Sequence, residues 1–234
     1  MKHNYPRWFL LVVGVMLLFV NRHCSGGIYK FIASTDEKVA FSYTGAVTEQ
    51  DAKMLDVLAK AWSDRKLIIH IDSPGGDAYE GVRLYWTAKR HGVSTLAGYR
   101  FGAYSAAGLF WLGGQEDALT VEGSIVGFHL AYCNPWKPPG CDTSDIDGEF
   151  QKVLIDALGR RGAHKLWSQM LDVLDSHGSQ GFVIWEQKDG SLIERMGYPE
   201  AMFLYVPLSS LSETSTKQET GCSGRPCLWG RDPS

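Results

Sequence analysis

The sequence predicts a single mixed α/β domain, and three observations carry that reading. Leu67-Ile68-Ile69-His70-Ile71 is an almost continuous apolar strand, of the kind buried on both faces of a parallel sheet. Short extended runs alternate with segments of helical spacing. Glycine-rich turns fall where a strand hands over to a helix. The composition agrees: 234 residues with 44% hydrophobic and 21% charged content, 26 Gly and 9 Pro, which excludes collagen-like, coiled-coil and wholly disordered chains. A formal charge of −3 gives no basic surplus, so nucleic acid is not expected as a partner. No C-x-x-C pair occurs to suggest zinc or redox chemistry, and neither metal nor cofactor is expected.

Taken in order, residues 1–26 read as a secretory signal or an N-terminal membrane anchor. Lys2 and Arg7 precede the apolar run Trp8 to Val20, which is short for a spanning helix of about 20 residues. Cleavage after Gly26 is the best placed; an uncleaved anchor, or a lipid on Cys24, would instead tie the domain to a membrane. Export removes three basic residues and takes the formal charge to about −6. It also places Cys133 with Cys141, and Cys222 with Cys227, where each pair would close a short loop or stay as free thiols.

Phe31 to Tyr43 reads as two extended pieces around Asp36-Glu37-Lys38. Thr48-Glu49-Gln50-Asp51 resembles a helix start, followed by Met54, Leu55, Leu58 and Trp62 at helical spacing. After the apolar strand, Ser73-Pro74-Gly75-Gly76-Asp77 breaks the chain sharply. A helix over Ala78 to Arg90 then shows Val82, Tyr85, Trp86 and Lys89 on one face. Val93 to Ala97 is a strand, Gly98 to Tyr104 a glycine-rich turn, and Ser105 to Trp111 a short apolar helix. Ala118 to Val121 and Ile125 to His129 read as strands. Asp145 to Arg160 and Ala163 to Asp175 read as amphipathic helices joined at Arg161-Gly162. The domain is placed at residues 28–207, with 208–234 a loose, Ser-, Thr- and Gly-rich tail.

Chemistry is expected at the two glycine-rich turns. A strand-to-helix turn of this kind presents backbone N–H groups at the positive end of a helix, which suits an oxyanion or a phosphate. No phosphate-loop or dinucleotide fingerprint is present, and Gly102-Ala103-Tyr104-Ser105-Ala106-Ala107-Gly108 is not the G-x-S-x-G elbow. It does bring a serine to the first turn of a helix. A serine hydroxyl needs a base, and His129, just after the Ile125-Val126-Gly127-Phe128 strand, is the best placed histidine. His70, inside an apolar strand, reads as a core histidine. On composition alone Ser105 reads first as a capping or packing residue and His129 as a structural one.

Spacing changes that balance. Ile69-His70-Ile71-Asp72-Ser73-Pro74-Gly75-Gly76 resembles the strand and S-P-G-G turn of the Clp protease family, in the ClpP/crotonase superfamily. The segment from Gly76 to Ser105, including Val93-Ser94-Thr95, overlays that family without a gap, and Val126-Gly127-Phe128-His129 matches its histidine segment after a one-residue deletion. The resemblance covers roughly residues 66–132. It implies a spiral of ββα units, Ser105 as nucleophile, His129 as general base and the backbone N–H groups of Gly76 and Ala106 as the oxyanion hole. It also implies a peptide or unfolded-protein substrate and a homo-oligomer. The family's third residue, an aspartate, has no clean match. The expected position falls near Ser176 to Gly178, Asp175 is the nearest carboxylate and Asp172 lies one turn earlier. A Ser-His dyad is the alternative, and Lys137 is a poor candidate for the Ser-Lys arrangement of membrane-associated relatives. An exported chain has no ATP-driven unfoldase to serve, so an ATP-independent serine peptidase outside the cytoplasm is expected. An inactive peptide-binding relative and a crotonase-type acyl-thioester enzyme are the competing readings.

Overall fold

The computed structural model describes residues 26–98, 102–114, 119–120, 123–131, 143–178, 181–189 and 191–198. The proposed leader (its last residue, Gly26, apart), residues 199–234 with the expected tail at 208–234, Lys137 and all the cysteines lie outside these residues. Among the described residues no helix is long and apolar enough to cross a membrane.

Two sheets share the core. The first has the order β1-β2-β3-β4-β6, from β1 (Ile28–Ser34), β2 (Lys38–Thr44), β3 (Lys66–Asp72), β4 (Ser94–Ala97) and β6 (Leu119–Thr120). β1 and β2 form an antiparallel hairpin, and the remaining pairs are parallel. The second has the order β5-β7-β8-β9, from β5 (Ala103–Tyr104), β7 (Ile125–Phe128), β8 (Phe182–Lys188) and β9 (Ser191–Gly197). The single bridges Val47↔Gly76 and Ser73↔Ala103 continue the parallel β5–β7 pairing backwards along the chain. Each of β2, β3, β4 and β6 thus runs on into a short segment of the second stack and then into a helix. β2 leads through Val47 to α1 (Asp51–Ala61), and β3 through Ser73–Gly76 to α2 (Ala78–His91). β4 leads through β5 to α3 (Ala106–Leu112), and β6 through β7 to α4 (Ser144–His177). This is the expected mixed α/β spiral of ββα units.

Burial explains the elements. β2 and β3 alternate: Val39, Phe41, Tyr43, Leu67, Ile69 and Ile71 are buried, with half-buried residues between them. β3 is therefore covered fully on one face only, which corrects the expectation of two buried faces; His70 lies on the half-covered side. Helix α2 packs between α1 and α3, burying Val82, Leu84, Tyr85 and Ala88, whereas Trp86 is exposed rather than on the buried face. Asp77 caps α2 by accepting the Glu80 N–H at 2.9 Å, and Gly92 ends it in the left-handed conformation.

Two further corrections concern the second half. The break in α4 is at Gly159 (φ 69°, ψ 167°) and not at Arg161-Gly162. That backbone region is open essentially to glycine alone, and Gly159 is the residue that adopts it. The β8–β9 hairpin was not expected at all. It completes the second sheet and lays Phe182 against the His129 ring, with centroids 4.5 Å apart.

Candidate active site

Four short segments meet at the ends of the second stack. Ser105 follows β5 and precedes α3; its N–H donates to Gly127 O of β7 at 2.8 Å, which fixes the turn against the strand that carries His129. The backbone of Ser105 is held at φ 55°, ψ −124°, an uncommon conformation for a residue with a side chain. The hydroxyl does not cap its own helix. It lies 2.6 Å from His129 Nε2. With the ring in its neutral Nδ1–H tautomer, Ser105 donates and Nε2 accepts. The residues that sequence spacing paired are thus in hydrogen-bond contact across 24 positions of chain.

His129 is 9% exposed, and burial pushes its pKa down from 6.5 to about 4. The imidazole is therefore neutral near pH 7, as a base must be to accept a proton. The Gly75-Gly76 turn stands opposite. A Cβ on Gly75 (φ 93°) would lie 2.5 Å from both Ser105 Cβ and Tyr104 O, so only glycine lets the two turns touch. Gly76 bridges Val47 through its neighbours: Val47 N–H donates to Gly75 O, and Asp77 N–H donates to Val47 O, each at 2.8 Å. In a parallel bridge of this kind the N–H of Gly76 itself points to the other side. Among the described residues no acceptor is recorded for the N–H of Gly76 or of Ala106. A cavity of about 20 Å³ adjoins the pair, lined by Ala106 and by the apolar side chains of Ala78, Leu109, Ala131, Ile146 and Phe150. That is room for about one water molecule.

The carboxylate candidates are placed differently. Met170, Leu174 and Gly178 of the end of α4 share a narrow cleft with His129, so the aligned region does reach the ring. Asp175 itself is exposed and makes no hydrogen bond to His129; Asp172 is likewise exposed. Both lie on the outer side of α4, while Val173, between them, is buried. Among the described residues no cluster of His, Cys, Asp and Glu is arranged to hold a metal ion. Sequence reasoning missed Phe182 beside the imidazole and the apolar lining from α4, because neither carries a catalytic functional group.

No protein-family model and no curated protein matches the sequence. Among solved structures the chain is similar to a point mutant of ClpP1 from Listeria monocytogenes, at 16% identity and a TM-score of 0.44, covering 58% of this chain and 79% of that one. It is also similar to a point mutant of the 1510-N membrane-bound stomatin-specific protease, at 18% identity and a TM-score of 0.41, covering 57% and 69%. ClpP1 from Listeria monocytogenes gives 16% identity and a TM-score of 0.42, covering 57% and 78%. The chemistry of the site rests on this chain's own geometry.

Proposed function

We propose that the protein is an ATP-independent serine peptidase of ClpP type that hydrolyses peptides or unfolded chains. The observation that carries the reading is the 2.6 Å contact between Ser105 Oγ and a buried His129 Nε2, beside two N–H groups with no recorded acceptor. Ser105 Oγ attacks the peptide carbonyl carbon while its proton passes to Nε2. The carbonyl oxygen becomes an oxyanion that receives hydrogen bonds from the N–H groups of Gly76 and Ala106. The C–N bond then breaks, and the imidazolium returns the proton to the leaving amine. Water, activated by the same imidazole, releases the acyl group from Ser105. Each oxyanion donor is worth on the order of 2.7–4 kcal/mol in the transition state.

Asp175 is not hydrogen-bonded to the ring, so this reading assigns catalysis to Ser105 and His129 and gives Asp175 no part in it. The low pKa of His129 favours a second reading, a weakly active or inactive peptide-binding relative, since a base that holds its proton loosely accepts one reluctantly. The neighbouring serine and histidine count against a thioester enzyme that needs only the paired N–H groups. Export through residues 1–26, with action outside the cytoplasm, and self-assembly belong to the same proposal. N-terminal mass analysis of a secreted fraction and the solution mass test them.

A fluorophosphonate probe with intact-mass readout separates the readings. The peptidase reading expects one adduct on the full chain and none on Ser105→Ala. Folded wild-type protein that takes up no probe supports the peptide-binding relative instead.

A further inference from the structure

The Gly75-Gly76 turn is held from behind by a chain of buried hydrogen bonds. Val47 bonds to both neighbours of Gly76, and a Cβ on Gly76 would lie 2.2 Å from Val47 O, so the direction of the Gly76 N–H follows the position of Val47. The next residue, Thr48, is fixed by Asp51. Asp51 Oδ2 accepts the Thr48 N–H at 2.7 Å, the Thr48 hydroxyl at 3.4 Å and the Tyr43 hydroxyl at 2.8 Å. Asp51 is 6% exposed. Three other elements face it. From β1, the Tyr29 hydroxyl donates to the Asp51 carbonyl, and the N–H of Gly27 before that strand reaches the carboxylate. From β2 comes Tyr43. From α2 comes Glu80, itself 3% exposed, whose Oε1 accepts the Ala52 N–H at 2.7 Å. The cation in this group, Arg83, pairs with the other oxygen of Glu80 at 3.2 Å.

This arrangement departs from an ordinary capping box. The N–H of Asp77, which Glu80 would accept in that motif, goes to Val47 O instead, and Glu80 reaches across to α1. Asp51 and Glu80 together tie the start of α1, the start of α2 and the segment between β2 and α1 into one unit around the turn.

We propose that Asp51 is a positioning residue for the oxyanion hole: its carboxylate anchors the Val47-Thr48 segment that sets the direction of the Gly76 N–H. The inference rests on the peptidase reading above. Burial pushes the Asp51 pKa up from 3.8 to about 6, against the opposing pull of the Thr48 and Tyr43 hydrogen bonds. Protonation near that pH turns a charged acceptor of several bonds into a weaker neutral one. The hole is then held less firmly.

The test is the rate at which a fluorophosphonate modifies Ser105 in the full chain, followed from about pH 4.5 to 8 with thermal melting in parallel. Wild type, Asp51→Asn and the distant core control Val39→Ala are compared. The wild-type rate falls as pH drops through about 6, well above the range in which His129 titrates. Asp51→Asn is slower by about tenfold at pH 7.5 and shows no step near pH 6, although it melts no lower than Val39→Ala. A rate within about twofold of wild type, or the same step in both proteins, overturns the proposal. If Asp51→Asn does not fold, the wild-type profile decides, and a flat rate through pH 6 overturns it. If wild type takes up no probe at any pH, the peptidase reading has failed and amide exchange judges the clamp. Faster exchange at Val47 and Asp77 in Asp51→Asn supports it, and unchanged exchange overturns it.

Discussion

Ser105 holds its φ 55°, ψ −124° conformation between β5, where its N–H bonds to Gly127 O, and α3, which begins at the next residue. Such a conformation costs about 1–3 kcal/mol for a residue with a Cβ. It directs the hydroxyl to His129 instead of to its own helix. Ser105→Gly is therefore expected to melt above Ser105→Ala by about 1 kcal/mol in thermal unfolding, while neither variant takes up a fluorophosphonate. A Ser105→Gly protein that is the less stable of the two contradicts the strain account. The pairing of Ser105 with His129 was legible because both lie in short segments of distinctive spacing. The third group was not: an aspartate anywhere on the last turns of α4 fits a linear alignment. Which side of that helix faces the imidazole depends on the packing of Met170 and Val173.

Among the connecting elements, the Gly75-Gly76 turn leaves no space for a side chain. Gly75→Ala puts a methyl group 2.5 Å from Ser105 Cβ and Tyr104 O at a φ of 93°, so both contact and backbone conformation oppose it. A loss of about 2 kcal/mol or more in denaturant unfolding is expected, together with loss of Ser105 labelling. A variant as stable and as reactive as wild type would show that the two turns do not touch. The longer strands and helices up to β7 were readable because each has its own period, whereas the two-residue β5 lies inside what reads as the Gly98 to Tyr104 turn. The errors follow from what periodicity omits. β3 looked buried on both faces because its intervening residues are Ile68 and His70, yet only the side carrying Leu67, Ile69 and Ile71 is fully covered. The α4 break is set by the glycine that adopts φ 69°, and Gly162 nearby offered an equal signal on paper. The β8–β9 hairpin had readable marks in the apolar run Phe182-Val183-Ile184 and in Asp189-Gly190, a common hairpin pair.

Two buried groups give the molecule opposing responses to pH. The pKa of His129 is lowered from 6.5 to about 4, so its contribution is fully present above about 6.5 and is lost as pH falls towards 4. The pKa of Asp51 is raised from 3.8 to about 6, so its contribution is present below 3.8 and is lost as pH rises through 6. Each change is worth about 3 kcal/mol, and between pH 4 and 6.5 they offset one another. Asp56, held down to about 2 by Lys60 and His91, titrates below this window. Denaturant unfolding at a series of pH values should therefore find wild type nearly flat with respect to these two groups. Asp51→Asn should gain stability as pH rises, and His129→Gln should lose it. Single variants that are both flat would contradict the assignment of these two buried groups. Near neutral pH the fold thus holds an ionised carboxylate and a neutral imidazole, at some cost in stability for the carboxylate. What most needs testing is whether Ser105, His129 and the two amides act on one substrate atom. A crystal structure of the protein after reaction with a fluorophosphonate tests this: the phosphorus should be bonded to Ser105 Oγ, with one phosphonyl oxygen about 2.7–3.1 Å from the nitrogens of both Gly76 and Ala106. An adduct on another residue, or a phosphonyl oxygen turned away from both amides, would contradict it.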